Sequence, residues 1–478
     1  MARNRKPLPT LEHIAVSGVA AEGNAIARVE GHPVIFIPFG APGDIVTVKL
    51  DRKKGSWAQG HIVALEQPSE LRREPFCEHF GTCGGCRWQH LPYEFQLRCK
   101  QQQVVDALER IAKVGLPPVS PIIGSESVTE YRNKMEYTFS NKSWLTPEQL
   151  ASAETFGNRD AAGFHIPGAF DKVLDINRCH LQEDFSNRVR LAVKALAREK
   201  GYTFYDLRNH TGLLRTMMVR TASTGQKMVL MVFGEENREA ITDVMEMLRR
   251  DFSEITSLLC CVNLKLNDTF ADQTIEVWSG EPFIEEAMED LRFRVGPKSF
   301  YQTNSRQAYR LYSVVRDFAA LRGDELVYDL YTGTGTIACF LARSARKVVG
   351  IEYVPEAISD AKVNAAVNGL TDKTLFFAGD MKDVLTDEFV GAHGRPEVMV
   401  VDPPRAGMHP DVVEVIKRAA PARLVYVSCN PATQARDLAL LDSHYRVERV
   451  QPVDMFPHTA HVENVVLCLL YTSPSPRD

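Results

Sequence analysis

The chain has 478 residues, 44 % of them hydrophobic and 24 % charged, with a formal net charge of −5. That is length enough for about two to four domains and apolar content ample for a buried core. No run of roughly 18 or more apolar residues occurs, which excludes a membrane-spanning helix. The start, Met1-Ala-Arg-Asn-Arg-Lys, lacks the apolar stretch of a secretory signal. Ten irregularly spaced cysteines argue against a secreted disulfide framework, so a cytoplasmic protein is expected.

Acidity overall does not exclude a nucleic-acid partner, because phosphate binding depends on local patches. Candidate patches are Arg3, Arg5 and Lys6; Arg52, Lys53 and Lys54; and Arg132 with Lys134. From Leu11 to Ala64, short β-prone runs such as Val34-Ile-Phe-Ile alternate with glycine turns. They predict a small β-barrel of the oligonucleotide-binding class. Trp57 beside Arg52 to Lys54 pairs an aromatic face with cations, the combination that holds single strands.

Next comes Cys77-Glu-His-Phe-Gly-Thr-Cys83-Gly-Gly-Cys86, followed far downstream by Cys179. Three thiols on a tight glycine-rich loop plus a distant fourth can close a four-thiolate site. Zinc and an iron–sulfur cluster both accept such a set, and spacing does not separate them. Tyr93 to Val114 has helical apolar spacing and is ended by Gly115-Leu-Pro-Pro; it is expected to bridge two domains. From Tyr131 to Trp278, strand runs such as Met135-Glu-Tyr-Thr-Phe alternate with helices such as Glu183 to Lys200, predicting an α+β central domain. Cys99, Cys260, Cys261, Cys339 and Cys468 lie in apolar or helical context and are expected to be core thiols.

The last third alternates strands and helices. Glu325-Leu-Val-Tyr-Asp329-Leu-Tyr331 runs into Thr332-Gly333-Thr-Gly335-Thr336 and a helix; Lys347-Val-Val-Gly-Ile-Glu352 ends acidic; Glu397-Val-Met-Val-Val ends in Asp402-Pro-Pro-Arg405. This predicts a doubly wound α/β sheet, Rossmann-like, with its site at the strand carboxyl ends. The acidic residue about 20 positions after the first strand suits a ribose hydroxyl pair. The glycine turn lacks the third glycine of a dinucleotide fingerprint. Carboxylates at Asp329 and Asp402 suit the ammonium group of adenosyl-methionine better than a pyrophosphate. Ser428-Cys429-Asn-Pro then presents a thiol at a strand end, and Glu463 opens the run His461-Val-Glu-Asn-Val-Val-Leu. A thiol and a carboxylate at neighbouring strand ends can attack a ring carbon and then remove a proton.

Together, Phe300-Tyr-Gln302-Thr-Asn304, Asp329-Leu-Tyr331-Thr-Gly-Thr-Gly, Glu352, Asp402-Pro-Pro-Arg405-Ala-Gly, Ser428-Cys429-Asn-Pro and His461-Val-Glu463 resemble the RNA 5-methyluridine methyltransferases. The resemblance runs from about Leu11 to Leu469 and is nearest to the bacterial iron–sulfur branch acting on 23S, large-subunit ribosomal RNA. It implies a TRAM-type RNA-binding barrel over 8–68, a central α+β domain over 69–298 and a class I methyltransferase domain over 299–470. Residues 471–478 are expected to form a disordered tail without function. It implies Cys429 as nucleophile and Glu463 as base. Gln302, Tyr331, Glu352 and Asp402, with Thr336 and Asp380, would form the adenosyl-methionine site; Thr336 departs from relatives, which can carry Asn there.

For Cys77, Cys83, Cys86 and Cys179 the resemblance implies a [4Fe-4S] cluster, with zinc as the alternative. A structural role is expected, separate from the catalytic pair. The implied enzyme is a monomer that methylates a flipped uracil at C5, with transfer RNA as the alternative substrate. A rival class, the exocyclic-amino methyltransferases, shares Asp-Pro-Pro but has an aromatic residue where Arg405 stands and no use for a thiol. A third reading is an RNA-binding protein with a degenerate pocket, against which the intact motifs argue.

Overall fold

The computed structural model describes residues 8–152 and 157–471. Arg3, Arg5, Lys6 and tail residues 472–478 lie outside the described residues. Six strands between Thr10 and Gln67 form the first sheet, around a core that includes Ile14, Ile35, Ile37, Val46 and Val48. Three register shifts between Ile45–Lys53 and Trp57–Gln67 bend that pair, as bulges do. Gly60 is required inside the bend, because a Cβ there would sit 2.5 Å from the carbonyl oxygen of Lys49.

The cysteine loop follows, and then a helix, Tyr93–Ala107, that continues as a π-helical turn, Leu108–Ala112. Lys113, left-handed at φ 55°, ends it. The helix buries Val104, Ala107, Leu108 and Ala112 against one face of the carboxyl-terminal sheet. Ile111, an apolar residue inside the predicted Tyr93 to Val114 helix, is 46 % exposed. The wider π turn rotates it off the buried stripe.

A second, seven-stranded sheet spans Lys134 to Gly280. Helices Phe185–Lys200 and Arg238–Asp251 pack on it through Val189, Val193, Ile241, Val244 and Leu248. Cys260, Cys261, Cys339 and Cys468 are buried as expected of core thiols, but Cys99 is only half-buried. It sits on the side of its helix that faces a cavity beside the barrel.

The third sheet has the order Thr374–Ala378, Lys347–Glu352, Leu326–Leu330, Val398–Val401, Arg423–Ser428, Glu463–Leu470, Tyr445–Val453. Its first five strands are parallel; Glu463–Leu470 runs antiparallel to both neighbours. Side chains alternate between two buried faces: Val398, Val400, Val425 and Val427 on one, Met399, Val401, Leu424 and Tyr426 on the other. Such continuous apolar runs arise when helices cover both faces. Each buried side chain of this size contributes about 1.5–3 kcal/mol. The hairpin Ile284–Met288 and Leu291–Val295 packs on helix Pro355–Val367, whose Asn364 accepts from the Arg294 backbone. Among the described residues, no helix is long and apolar enough to cross a membrane.

Candidate active site

The reversal of the last two strands creates the site. Ser428 pairs with Asn464 across the antiparallel ladder. One residue further along each strand, Cys429 and Glu463 therefore stand opposite each other at the edge where the five parallel strands end. Asn430 turns the chain away by capping helix Pro431–Leu441 through the Ala432 N–H. Its Nδ2 donates to the Arg405 carbonyl oxygen at 3.1 Å, and Thr433 donates to the same oxygen. These bonds lash the loop after Asp402 to the loop after Cys429 and bring Arg405 beside the thiol.

Burial dominates the electrostatics. It pushes the Cys429 thiol up to about 11, with Glu463 and Asp402 adding to the rise and Arg405 opposing it. Glu463 is held well above the carboxylate range by burial and by Asp402, again against Arg405. Asp402 rises to about 7 through burial and the nearby Asp329. Asp329 also rises to about 7 through burial, although Thr332 Oγ1 donates to it at 2.5 Å. Its Oδ1 has no side-chain partner among the described residues. Three crowded acids and a thiol facing one guanidinium are short of positive charge. A cationic ligand would ionise them, because a nearby opposite charge favours the charged form.

A cavity of about 1370 Å³ joins Asp402, Arg405, Cys429 and Glu463 to the glycine-rich turn, while Asp329 lies buried behind its wall. Gln302, Tyr331, Gly333, Glu352, Asp402, Cys429 and Glu463 all line it. Tyr331 is left-handed at φ 65°, an uncommon state for a side chain of this size. Glu352 accepts from the Gly333 and Val354 N–H groups, which fixes its carboxylate at the strand end. Gly335 also needs φ 76°, and a Cβ there would lie 2.8 Å from that of Ala361. Phe300, 66 % exposed, and Tyr353, 67 % exposed, offer open aromatic faces to the cavity. Adenosyl-methionine fits this donor set: carboxylates for its cation and hydroxyls, aromatic faces for its adenine.

Two expected cofactor residues stand elsewhere. Thr336 is buried at the start of helix Thr336–Ala342, within 3.4 Å of the Thr334 hydroxyl, and does not line the cavity. Asp380 also does not line it; its side chain caps the short helix Met381–Val384 through the Lys382 N–H. The sequence motifs include Arg405 but give it no role of its own, and they leave out Tyr353. The signal available for Tyr353 was an aromatic residue directly after the acidic strand end.

Cys429 and Arg405 also face a second cavity of about 1340 Å³, bounded by the barrel, the cysteine loop and helix Tyr93–Ala107. Arg87, Arg98 and Arg110 line it. Of the expected basic patches, Arg52, Lys53 and Lys54 are exposed on the barrel, with the Lys54 ammonium 5.4 Å from the Trp57 ring centre. Arg132 lines the cofactor-side cavity, whereas Lys134 is paired with Glu136 at 2.6 Å.

The four cysteines are brought together. Cys77, Cys83, Cys86 and Cys179 line one cavity of about 590 Å³. Burial raises all four thiols, Cys83 to about 11 and Cys86 to about 12. Among the described residues, no three His, Cys, Asp or Glu side chains close on one point as a single metal ion needs. The thiols instead surround a space.

A model of the TRAM domain matches residues 12–63, and a model described as tRNA (Uracil-5-)-methyltransferase matches 281–470. Over 464 residues the chain is 55 % identical to an uncharacterized RNA methyltransferase of Porphyromonas gingivalis, covering 96 % of this chain and 99 % of that one. A counterpart in Bacteroides thetaiotaomicron is 56 % identical over 452 residues, covering 94 % and 99 %. The chain belongs to the RNA uracil-5-methyltransferase family. A solved relative of this methyltransferase is the Pyrococcus abyssi tRNA (uracil-54, C5)-methyltransferase in complex with S-adenosyl-L-homocysteine. It superposes with a TM-score of 0.73 at 28 % identity, covering 95 % of this chain and 99 % of that one. The class I methyltransferase fold, the TRAM domain and adenosyl-methionine dependence thus stand as expected.

Proposed function

We propose that this methyltransferase converts uridine to 5-methyluridine in large-subunit ribosomal RNA, with Cys429 as nucleophile and Glu463 as base. The observation carrying this reading is that the two groups face each other across the strand ladder at the cavity that also contains Gln302, Tyr331, Glu352 and Asp402. Uracil C5 is too weak a nucleophile unaided. Cys429, its thiol proton released to solvent, bonds to C6 as the thiolate, and the electron pair of the C5–C6 double bond moves to C5. Adenosyl-methionine, when bound, supplies the electrophilic methyl group that C5 takes up. Glu463 accepts the C5 proton; the released C–H pair re-forms the double bond and expels the Cys429 thiolate. Arg405 favours the negative charge on both groups. The barrel over 8–68 and the arginines of the second cavity hold the RNA while the target base leaves its stack.

Cys77, Cys83, Cys86 and Cys179 hold a [4Fe-4S] cluster in this reading. Four thiols lining one cavity can close a four-thiolate site, which a [4Fe-4S] cluster accepts, with zinc as the alternative. Anaerobically purified protein is expected to be brown with about four irons per chain. Stoichiometric zinc without iron would overturn this assignment.

Transfer RNA is a second substrate reading, favoured by the likeness to the Pyrococcus abyssi enzyme. Trapping tests reaction and substrate together. Incubation with adenosyl-methionine and 5-fluorouridine-substituted transcripts should give an adduct stable to denaturation with ribosomal RNA fragments, because fluorine cannot leave as a proton does. An adduct with transfer RNA alone would move the substrate; no adduct with either would sink the thiol mechanism.

A further inference from the structure

We infer that His458 is a positioning residue that couples the four-cysteine site to Glu463; this rests on the reading above that Glu463 takes the C5 proton. Sequence separates the two sites into different domains. The fold joins them through the segment from Asp454 to Val462, which links the last two strands and delivers Glu463 to its place.

Little of what holds that segment belongs to its own sheet. The His458 carbonyl oxygen accepts from the backbone N–H groups of Arg87 and Trp88, at 2.8 and 3.1 Å, directly after Cys86. Its own N–H donates to Gln96 Oε1 at 2.9 Å, and Gln96 Nε2 donates to its Nδ1 at 3.2 Å. Phe76, directly before Cys77, meets the His458 ring edge-on at 5.1 Å. The same phenyl ring meets His180, directly after Cys179, at 5.3 Å. Residues adjacent to two of the four cysteines, Phe76 and Arg87, therefore contact this one histidine, and His180, beside a third, reaches it through Phe76.

His458 has φ 66°. A non-glycine residue keeps a left-handed backbone only where its surroundings over-determine it. Here the surroundings are the cysteine loop and the bridging helix. From that helix, Lys100 reaches across to Asp454 at 2.5 Å and to the Phe456 carbonyl oxygen at 2.9 Å. Both Lys100 and Asp454 are fully buried. The path from His458 to Glu463 is five residues of chain, so a shift at the cysteine loop is passed on to the carboxyl group. Cys429 follows Arg423–Ser428, which is held on its other side by Val398–Val401, and is fixed from beyond by the Asn430 cap. Loosening the cysteine site thus displaces the base and leaves the nucleophile in place.

The test uses Phe76→Ala, Cys86→Ser and His458→Asn in the full-length, anaerobically purified protein. Asn tolerates a left-handed backbone, so the last variant removes the ring and spares the turn. Each variant should trap 5-fluorouridine RNA like wild type. With uridine RNA and adenosyl-methionine, each should accumulate a methylated covalent adduct whose release is about a hundredfold slower, the cost of misplacing a reacting group by about 1 Å. Amide hydrogen exchange should quicken over 454–463 and stay unchanged over Arg423–Ser428. Wild-type release together with unchanged exchange over 454–463 would overturn the inference. So would loss of both adducts with faster exchange throughout the central sheet, the mark of general loosening. Failure of wild-type protein to trap 5-fluorouridine RNA would instead strike the thiol mechanism, and the inference with it.

Discussion

Replacing Cys429 with alanine is expected to lower methyl transfer by roughly 10⁴-fold or more while adenosyl-methionine binding stays near wild type. Among the described residues lining the cavity no other thiol stands: the groups beside Cys429 are the carboxyl groups of Asp402 and Glu463 and the guanidinium of Arg405, far weaker nucleophiles toward C6. The cofactor cavity is lined largely by other residues, so losing one thiol leaves its contacts in place. Single-turnover transfer to unmodified RNA and calorimetry with adenosyl-methionine separate the two effects. Transfer within tenfold of wild type would remove Cys429 from the mechanism. The same thiol sets a pH dependence. With its proton held up to about 11, Cys429 is neutral below that pH and becomes more reactive as pH rises. Alkylation of Cys429 by iodoacetamide in the free enzyme should climb about tenfold per pH unit between about pH 7 and 9, and vanish in Cys429→Ala. A flat profile would contradict the buried, neutral thiol.

Glu463→Gln is expected to leave attack and methylation in place and stop the reaction afterwards. Glutamine fills the same buried position at the start of Glu463–Leu470 but cannot take a proton. Loss of a general base costs about 10²–10⁴-fold. The C5 proton then stays, the thioether to Cys429 persists, and a methylated protein–RNA complex should accumulate on a denaturing gel. Normal turnover without that complex would assign the proton to another group. Asp402 is the nearest competitor, being buried close by and raised to about 7.

Much of the third sheet was legible before any coordinates. Each strand is a run of β-branched and aliphatic residues ended by a polar cluster, and each cluster lies at the same edge because parallel strands all point one way. Hence Tyr331, Glu352, Asp402 and Cys429 line one cavity despite wide separation in sequence. The short β-prone runs from Leu11 to Ala64 were legible for the same reason, since glycine turns punctuate them. Thr336 and Asp380 are absent from that lining because motif position specifies a place in the chain and not the direction of a side chain: Thr336 meets the Thr334 hydroxyl, and Asp380 caps a short helix. Arg405 was undervalued because its effect depends on a hydrogen bond from Asn430 that spans two loops.

By itself, then, the sequence determined which chemical groups this protein carries, the alternation of strand and helix, and the edge at which the parallel strands end. Period-two burial and the shared direction of parallel strands are local properties that residue order contains. Only the tertiary structure decided that Glu463–Leu470 runs antiparallel, and so that the base faces the thiol instead of standing at the far edge. Only it turned four separated cysteines into the lining of one cavity and tied them to the segment before Glu463 through His458. Those outcomes rest on strand direction, on contacts between residues hundreds of positions apart and on backbone hydrogen bonds, which depend on packing and leave no pattern in residue order.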